Sequence, residues 1–585
     1  MKTGWMVLTL ALVAGGAGAL YLRPSADTAR PARAGFAPTS RCTGCHPDEA
    51  ARWRGSPHDL AMAKPTPETV QGDFREVVFE DTRLSHSGPD WSFEIRAADG
   101  SVERHRVEYT FGTAPLQQYL LKLPGGRLQA SALAWDTSKG RWFRVQDPAL
   151  HYTSRYQTWN TMCAECHSTD VDKGYDPDRD AFATTFAEED VGCQSCHGPG
   201  QAHAEDPTRP LPARTDVEAC APCHARRAPL TAKATPGEPF DDHFRVMTLQ
   251  PPLYFPDGQI RDEVFEYGSF TQSLMYARGV VCVDCHDAHR ASKAADNSTC
   301  TRCHGAEPPL ERFPTLAARA RDLDRPEHHH HTPGSPGAQC VACHMPARTY
   351  MGVDVRHDHR LAVPRPDLSA KLGTPDACTN ACHRDHDPAW AAATVAAWFP
   401  RAEPRPEHFG EVLARAQHGM AHPRELAQVV RGDAPDIARA TALEHLLADP
   451  EACLALEASA DPSPLVRSVA AGCAEGRPPA ERAALTAWAL SDPRRVVRLE
   501  GAWVITGAQS FLRSPEDLAR YRAARAELNA MYEAQRDRPE GAFNLALLAE
   551  AEGRWAAAAA HYAEALRLDP EYTPARANLA ALARR

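Results

Sequence analysis

The chain has 585 residues, of which 43% are hydrophobic, 7% aromatic and 24% charged, too long for one compact domain and too apolar to be disordered throughout. Its net charge is −11, and without a concentrated basic stretch it offers no surface for nucleic acid. No second apolar run of about 18 residues follows the N-terminus, which excludes a polytopic membrane protein.

Lys2 precedes an uncharged stretch over residues 4–22, with the small-residue triplet Ala17-Gly18-Ala19 inside it. This reads as a secretory signal peptide, and its length also suits an uncleaved N-terminal anchor. Residues 23–40, with Pro24, Pro31 and Pro38, read as a linker. Both readings put the rest of the chain in the periplasm or another extracytoplasmic space, tethered to the inner membrane if the segment stays. Disulfides form in such compartments.

Sixteen of the 18 cysteines fall into eight pairs, each followed at once by histidine. Seven are C-x-x-C-H: Cys42/Cys45/His46, Cys163/Cys166/His167, Cys193/Cys196/His197, Cys220/Cys223/His224, Cys282/Cys285/His286, Cys300/Cys303/His304 and Cys340/Cys343/His344. The eighth, Cys378/Cys382/His383, has one more residue between its cysteines. This is the pattern of c-type haem attachment: two thiols form thioethers to one porphyrin edge, and the adjacent imidazole ligates the iron. A disulfide scaffold would not need a histidine after every pair. Zinc sites draw their remaining ligands from elsewhere, and this alternative is sharpest at the eighth motif, where His386 would complete a four-ligand set. The expectation is eight covalently bound haems, with the eight motif histidines as proximal ligands.

Nineteen histidines remain as candidates for the distal faces. Those near motifs are His58, His151, His203, His243, His289, the run from His328 to His331, His357 and His359. A histidine on both faces makes a six-coordinate iron suited to electron transfer, whereas an open face can bind substrate. The four-histidine run also reads as a solvated metal-binding loop. Met247, Met275, Met345 and Met351 are weaker candidates, more often packing residues.

About 120 residues separate the first two motifs, and this gap carries strand patterning. Residues 77–80, 91–96 and 102–111 read as strands, the last two joined by Asp99-Gly100. Trp91, Phe93 and Ile95 alternate onto one face, as do Val107, Tyr109 and Phe111. A second pair, 128–134 and 141–145, follows the Pro124-Gly125-Gly126 turn. From 158 to 390 the chain is haem motifs joined by Pro- and Gly-rich segments. Beyond Trp390 it becomes rich in Ala, Leu, Arg and Glu. Asp461-Pro462 with Val466-Arg467 recurs as Asp492-Pro493 with Val497-Arg498, and a looser copy surrounds Asp433, Ile437 and Arg439. This pattern suits HEAT-type helical pairs. Cys453 and Cys473 lie here, either paired or simply buried. Ala546, Ala558, Tyr562, Ala565 and Pro570 fit one tetratricopeptide unit, capped by a helix over 575–582; a plain helical pair is the alternative.

The expected fold is mainly α with much irregular structure. A multihaem cytochrome c domain spans 41–390, with a small antiparallel β insert at about 70–150. An α-helical repeat superhelix follows, HEAT-like over 391–520 and tetratricopeptide-like over 521–585.

The blocks Trp159-Asn160-x-Met162-Cys163-Ala164-Glu165-Cys166-His167, Gly192-Cys193-x-x-Cys196-His197-Gly198-Pro199-Gly200 and Cys340-x-x-Cys343-His344-Met345-Pro346 resemble the bacterial multihaem cytochromes. That superfamily includes pentahaem nitrite reductase, hydroxylamine oxidoreductase and octahaem tetrathionate reductase. The whole chain is similar to secreted multihaem proteins with a C-terminal tetratricopeptide or HEAT extension. The resemblance implies His58, His203, His243, His289, His329, His330 and His359 as distal ligands, with His151 as the eighth. It departs from the nitrite reductases, because no C-x-x-C-K motif is present. No tyrosine is assigned to a haem cross-link.

The superfamily contains both enzymes and carriers; the surplus of histidines and the absence of a lysine-ligated motif favour an electron carrier that takes electrons from a donor such as a membrane quinol-oxidising complex, its repeats docking a protein partner. Its alternative is a haem oxidoreductase acting on nitrite, hydroxylamine or tetrathionate. Arg155, Tyr156 and Arg278 are then the polar groups near the motifs.

Overall fold

The computed structural model describes residues 35–96, 100–147, 151–211, 214–290, 296–403 and 405–584. The expected signal or anchor at 1–22, the linker up to residue 34, and Asp99 of the expected turn lie outside the described residues. Among the described residues no helix is long and apolar enough to cross a membrane.

The β insert is a nine-stranded antiparallel sheet. Its strands are β1 (Met62–Ala63), β2 (Val77–Phe79), β3 (Thr82–Ser87), β4 (Asp90–Arg96), β5 (Val102–Phe111), β6 (Leu116–Lys122), β7 (Leu128–Ala130), β8 (Leu133–Asp136) and β9 (Arg141–Arg144). The order is β2-β3-β4-β5-β6-β8-β9, with β1 on β5 and β7 on β6. Strands β1, β3 and β6 were not legible in the sequence. β6 is buried on both faces from Gln117 to Leu121, so it lacks the alternation that marks a half-exposed strand. Its buried amides are satisfied: Gln117 donates to Thr69 O at 2.9 Å and Gln118 to Ser131 O at 2.9 Å.

A bulge in β5 corrects the expected face of two aromatics. Val107 pairs with Leu121 but Tyr109 with the adjacent Leu120, so two residues of β5 advance against one of β6. Val107 therefore joins Phe74, Leu84, Trp91, Phe93, Tyr119, Leu121 and Trp142 in the sheet's own core. Tyr109 joins Met62, Leu120, Ala130, Trp159 and Ala164 on the other side. That second core carries the attachment segment at Cys163. Asn160 fixes it further, accepting from Leu128 N at 2.8 Å and donating to Thr184 Oγ1 at 2.8 Å. Gly126 is required in the preceding turn: its φ is +71° and a Cβ would meet Phe182 O at 2.0 Å.

The C-terminal helices pack each on the next, from Pro423–Arg431 through Asp436–Leu446, Pro464–Gly472, Arg495–Ile505, Pro515–Glu533, Pro539–Ala551 and Trp555–Leu568 to Thr573–Leu582. The recurring Asp and Arg form a ladder. Arg467 donates back to Asp461 O at 2.8 Å and forward to Asp492 at 2.7 and 3.1 Å. Arg498 repeats this, donating to Asp492 O at 3.1 Å and pairing with Glu527 at 3.2 Å. Arg439 pairs with Asp461 in the same way. Cys453 and Cys473 form a disulfide.

These helices do not stand apart from the haem-motif region. One core joins Phe240, Phe244, Leu249, Tyr254 and Ile260 to Leu413, Val429, Ile437, Leu443 and Val466. Leu249 N donates to Thr441 Oγ1 at 2.9 Å, Thr248 Oγ1 donates to Glu444 at 2.6 Å, and Arg245 bridges Glu444 at 3.2 Å and Glu500 at 3.5 Å. Gly410 lets the helix Phe409–Gln417 approach closely, since a Cβ there would lie 2.6 Å from Asp257 Cα. The helix Pro388–Trp398, at the expected start of the repeats, packs instead on Pro366–Leu372 beside the last motifs.

Candidate haem-binding sites

Four of the seven three-residue-spaced motifs are turns closed by the same bond, and the other three lie in the short helices Cys193–His197, Ser298–His304 and Cys340–His344. The N–H of His46, His167, His224 and His286 donates to the carbonyl of the first cysteine at 2.9, 3.2, 3.0 and 3.0 Å. This puts both thiols and the ring on adjoining sides of one turn, as a porphyrin edge with an iron beneath requires. The eighth motif keeps the contact across its extra residue, His383 N donating to Cys378 O at 3.0 Å, a wider turn of the π type. At the eighth motif His386 stacks on Trp390 at 4.0 Å, and among the described residues no group of three or more His, Cys, Asp or Glu side chains is placed to hold a metal ion.

Imidazoles face one another across these motifs. Two imidazoles bound to opposite faces of one iron, at about 2 Å per bond, have ring centres about 6 Å apart. His46 and His203 are separated by 6.4 Å, His224 and His58 by 6.5 Å, and His197 and His289 by 6.3 Å. His286 and His359 are separated by 6.3 Å, His344 and His328 by 6.2 Å, and His383 and His331 by 6.1 Å. A continuous cavity of about 3510 Å³ is lined by residues of every motif from the second to the eighth. Donor set, ring spacing and cavity all fit haem.

In four of these histidines the hydrogen bonds leave one ring nitrogen available to hold an iron. His167, His203, His344 and His359 each have Nδ1 against a backbone carbonyl, at 3.3, 2.6, 3.0 and 2.9 Å, so the bare lone pair is on Nε2. Burial lowers the pKa of His58, His289, His304, His328 and His359, and takes His167 to about 4. Neutral rings are what an iron needs. His224 is the exception: burial opposes its charge, but the Glu266 carboxylate, 2.8 Å from Nδ1, overrides it and lifts the pKa to about 9. A carboxylate there makes the imidazole a stronger donor to a metal.

Of the eight expected distal residues, His58, His203, His289 and His359 stand opposite motif histidines. The other four do not. His243 has both ring nitrogens engaged, by Thr231 Oγ1 at 3.0 Å and Glu238 at 2.5 Å. His151 bonds Thr153 Oγ1 at 2.7 Å and packs against the Tyr152 ring at 4.6 Å, tilted by 37°. His329 accepts from His331 N at 3.1 Å through Nδ1, and His330 stacks on Trp398 at 4.2 Å. The four-histidine run contributes its outer members, His328 and His331. Composition alone cannot set that register, because a run of identical residues carries no periodicity. His167 has Phe111 as its ring neighbour, at 4.3 Å. Arg155, expected near the chemistry, is tied to Asp180 and to Leu568 O at 3.2 Å. Tyr156 and Arg278 both line the cavity.

Thiols of different motifs adjoin. Cys42 is hydrogen-bonded to Cys193, Cys220 to Cys282, Cys166 to Cys223 and Cys300 to Cys340. Cys196 lies near Cys220, Cys285 near Cys300, and Cys343 near Cys382. The motifs are thus neighbours in the order first, third, fourth, fifth, sixth, seventh, eighth, with the second beside the fourth. Amide side chains hold two of these neighbours together. Gln194 bridges the third motif to Ala37 at 2.7 and 3.0 Å, and Asn297 accepts from Cys340 N at 2.8 Å.

Residues 130–198 match the family model described as cytochrome c554 and c-prime, a stretch that contains the second and third motifs. Among solved structures, that of the outer cell wall cytochrome OcwA is similar over 75% of this chain and 99% of that chain, at a TM-score of 0.42 and 16% identity. No curated protein matches. With attachment motifs on both sides of the matched segment, the chain is a multihaem c-type cytochrome that holds its haem covalently.

Proposed function

We propose that this protein is an extracytoplasmic electron carrier with eight haems, conducting along the order in which its motifs adjoin. The observation that carries this reading is the facing of imidazoles at 6.1 to 6.5 Å across six of the eight motifs. Six-coordinate iron exchanges electrons with little rearrangement of its ligands. Electrons enter from a redox partner, such as a membrane quinol-oxidising complex, and leave to another. The first and last motifs, at the two ends of that order, suit entry and exit; exposed thiols occur at both, Cys45 and Cys382, and also at Cys285 of the fifth motif. The Cys453–Cys473 disulfide supports a location outside the cytoplasm, and retention of the N-terminal segment would anchor the protein there. The HEAT- and tetratricopeptide-like helices turn one face to the haem domain, which leaves the other for a protein partner.

A second reading, a haem oxidoreductase acting on a small nitrogen or sulfur compound of the nitrite, hydroxylamine or tetrathionate type, is favoured by one observation. The ring beside His167 is Phe111, which has no lone pair to offer iron. Quantitative electron paramagnetic resonance on the ferric holoprotein, its haem number fixed by mass, separates the two. Eight low-spin haems unmoved by nitrite, hydroxylamine or tetrathionate support the carrier. A high-spin fraction that shifts on adding one of them supports the oxidoreductase.

A further inference from the structure

The run from His328 to His331 does two jobs at once. His328 stands 6.2 Å from His344 with the rings 3° from parallel, while His331 stands 6.1 Å from His383. These motif histidines belong to different, adjoining attachment sites, whose Cys343 and Cys382 are near neighbours. One loop, three residues from ligand to ligand, therefore spans two irons.

The backbone explains how. The short helix Pro326–His329 presents His328, and then His330 turns into the left-handed region at φ 54°. That reversal carries His331 away from the direction His328 takes. His331 N donates to His329 Nδ1 at 3.1 Å, and His331 Nδ1 is bonded to His329 O. His331 Nε2 is thereby left with its lone pair, and His344 is prepared alike by Ala362 O at 3.0 Å from its Nδ1.

His329 and His330 serve the loop rather than an iron. The ring of His330 lies 4.2 Å from that of Trp398, 11° from parallel, and Phe399 packs on His328 at 6.0 Å and on His330 at 5.8 Å. Trp398 closes the helix Pro388–Trp398, whose Trp390 lies 5.2 Å from His383. One helix thus braces both the loop and the ring opposite it.

We infer that His328 and His331 are the distal ligands of two different haems, those attached at Cys340/Cys343 and Cys378/Cys382. His330 and Trp398 are the positioning residues that hold both ligands in place together. The inference rests on the eight-haem reading and makes the C-x-x-x-C-H motif a six-coordinate haem site. It predicts that the two haems lose their ligands as a unit when the brace is removed.

The test uses the full-length holoprotein, with haem number by mass and low-spin haem counted by near-infrared magnetic circular dichroism. His328→Ala and His331→Ala should each retain all eight haems and convert one from low-spin to high-spin. Added imidazole should restore each. His329→Ala should leave the low-spin count unchanged, whereas His330→Ala, which removes the stack on Trp398, should loosen both ligands. Trp398→Ala should loosen both ligands, so that two haems become high-spin over one common temperature transition. A silent His331→Ala, or a haem lost to His329→Ala, overturns the inference. Seven haems by mass in the unaltered protein would instead overturn the eight-haem reading beneath it.

Discussion

Asp537 offers a direct test of whether the C-terminal helices and the haem domain form one body. It is 2% exposed and sits just before the helix Pro539–Ala551. Its carboxylate accepts from Lys173 Nζ at 2.9 Å and from the hydroxyl of Thr161, two residues ahead of Cys163. Asp537→Ala removes both bonds and leaves the Lys173 ammonium with the Ala534 carbonyl at 2.6 Å. Breaking a buried ion pair from one side costs about 3–5 kcal/mol. The Lys173 side chain is 24% exposed, so water recovers part of this and about 3 kcal/mol is expected. That is about a hundredfold shift toward release of the helices from the haem domain. Hydrogen exchange across residues 539–582 of the holoprotein reads this release. Asp537→Asn, which keeps the Thr161 bond, should lose less. A change of less than about threefold, or the same penalty in a Lys173→Met background, would refute the clamp.

Three further outcomes follow from the packing. Burial, followed by Glu218, raises the Asp241 pKa from its ordinary value of 3.8 to about 7. The folded chain alone then keeps this proton between about pH 4 and pH 7, so the group's contribution to stability falls as pH rises through that window. Melting scans from about pH 4.5 to about pH 7.5 should show a shallower slope in Asp241→Asn. Replacing Cys453 and Cys473 together with Ala reopens a loop of 20-residue separation. Denaturant unfolding should then register a loss of about 3 kcal/mol, and a wild-type curve would discount the cross-link. Arg467→Ala leaves Asp492, with a side chain 6% exposed, buried without its cation and holding only the Arg494 N–H at 2.8 Å. This should cost about 3 kcal/mol in the same assay, with Arg467→Lys intermediate because its single point charge cannot pair in bidentate fashion.

The haem motifs were legible because their chemistry demands a fixed order of residue types, and that order survives any fold around it. Strands β4 and β5 were legible because one face of each is buried. β6 was not, because both its faces are covered. Nor could alternation foresee the bulge that sends Tyr109 and Phe111 away from Val107. The recurrence of Asp461 and Arg467 at Asp492 and Arg498 was read as spacing, and its meaning is a ladder of ion pairs between successive helices. Distal ligands are a matter of tertiary approach. His58 stands opposite His224 and His203 opposite His46, each far away along the chain, while His243 is consumed by Thr231 and Glu238. Within the run at 328–331, only the left-handed turn at His330 decides which rings face a motif.

The adjoining thiols bear on how the protein is made. Cys42 beside Cys193, Cys166 beside Cys223, Cys220 beside Cys282 and Cys300 beside Cys340 would each be within reach of a wrong cross-link in an oxidising compartment once the chain had folded. On the proposed eight-haem reading of an exported chain, sixteen sulfurs must be committed to porphyrin while the chain is still open, yet Cys453 and Cys473 must be oxidised to each other. The order of the sequence reconciles these demands. Every attachment site precedes residue 384 and the cross-linked helices come after, so during export the cytochrome segment emerges first, and the helices that cover it are the last to arrive. Biogenesis on that reading is vectorial: haem ligation first, disulfide oxidation and closure of the helical layer second.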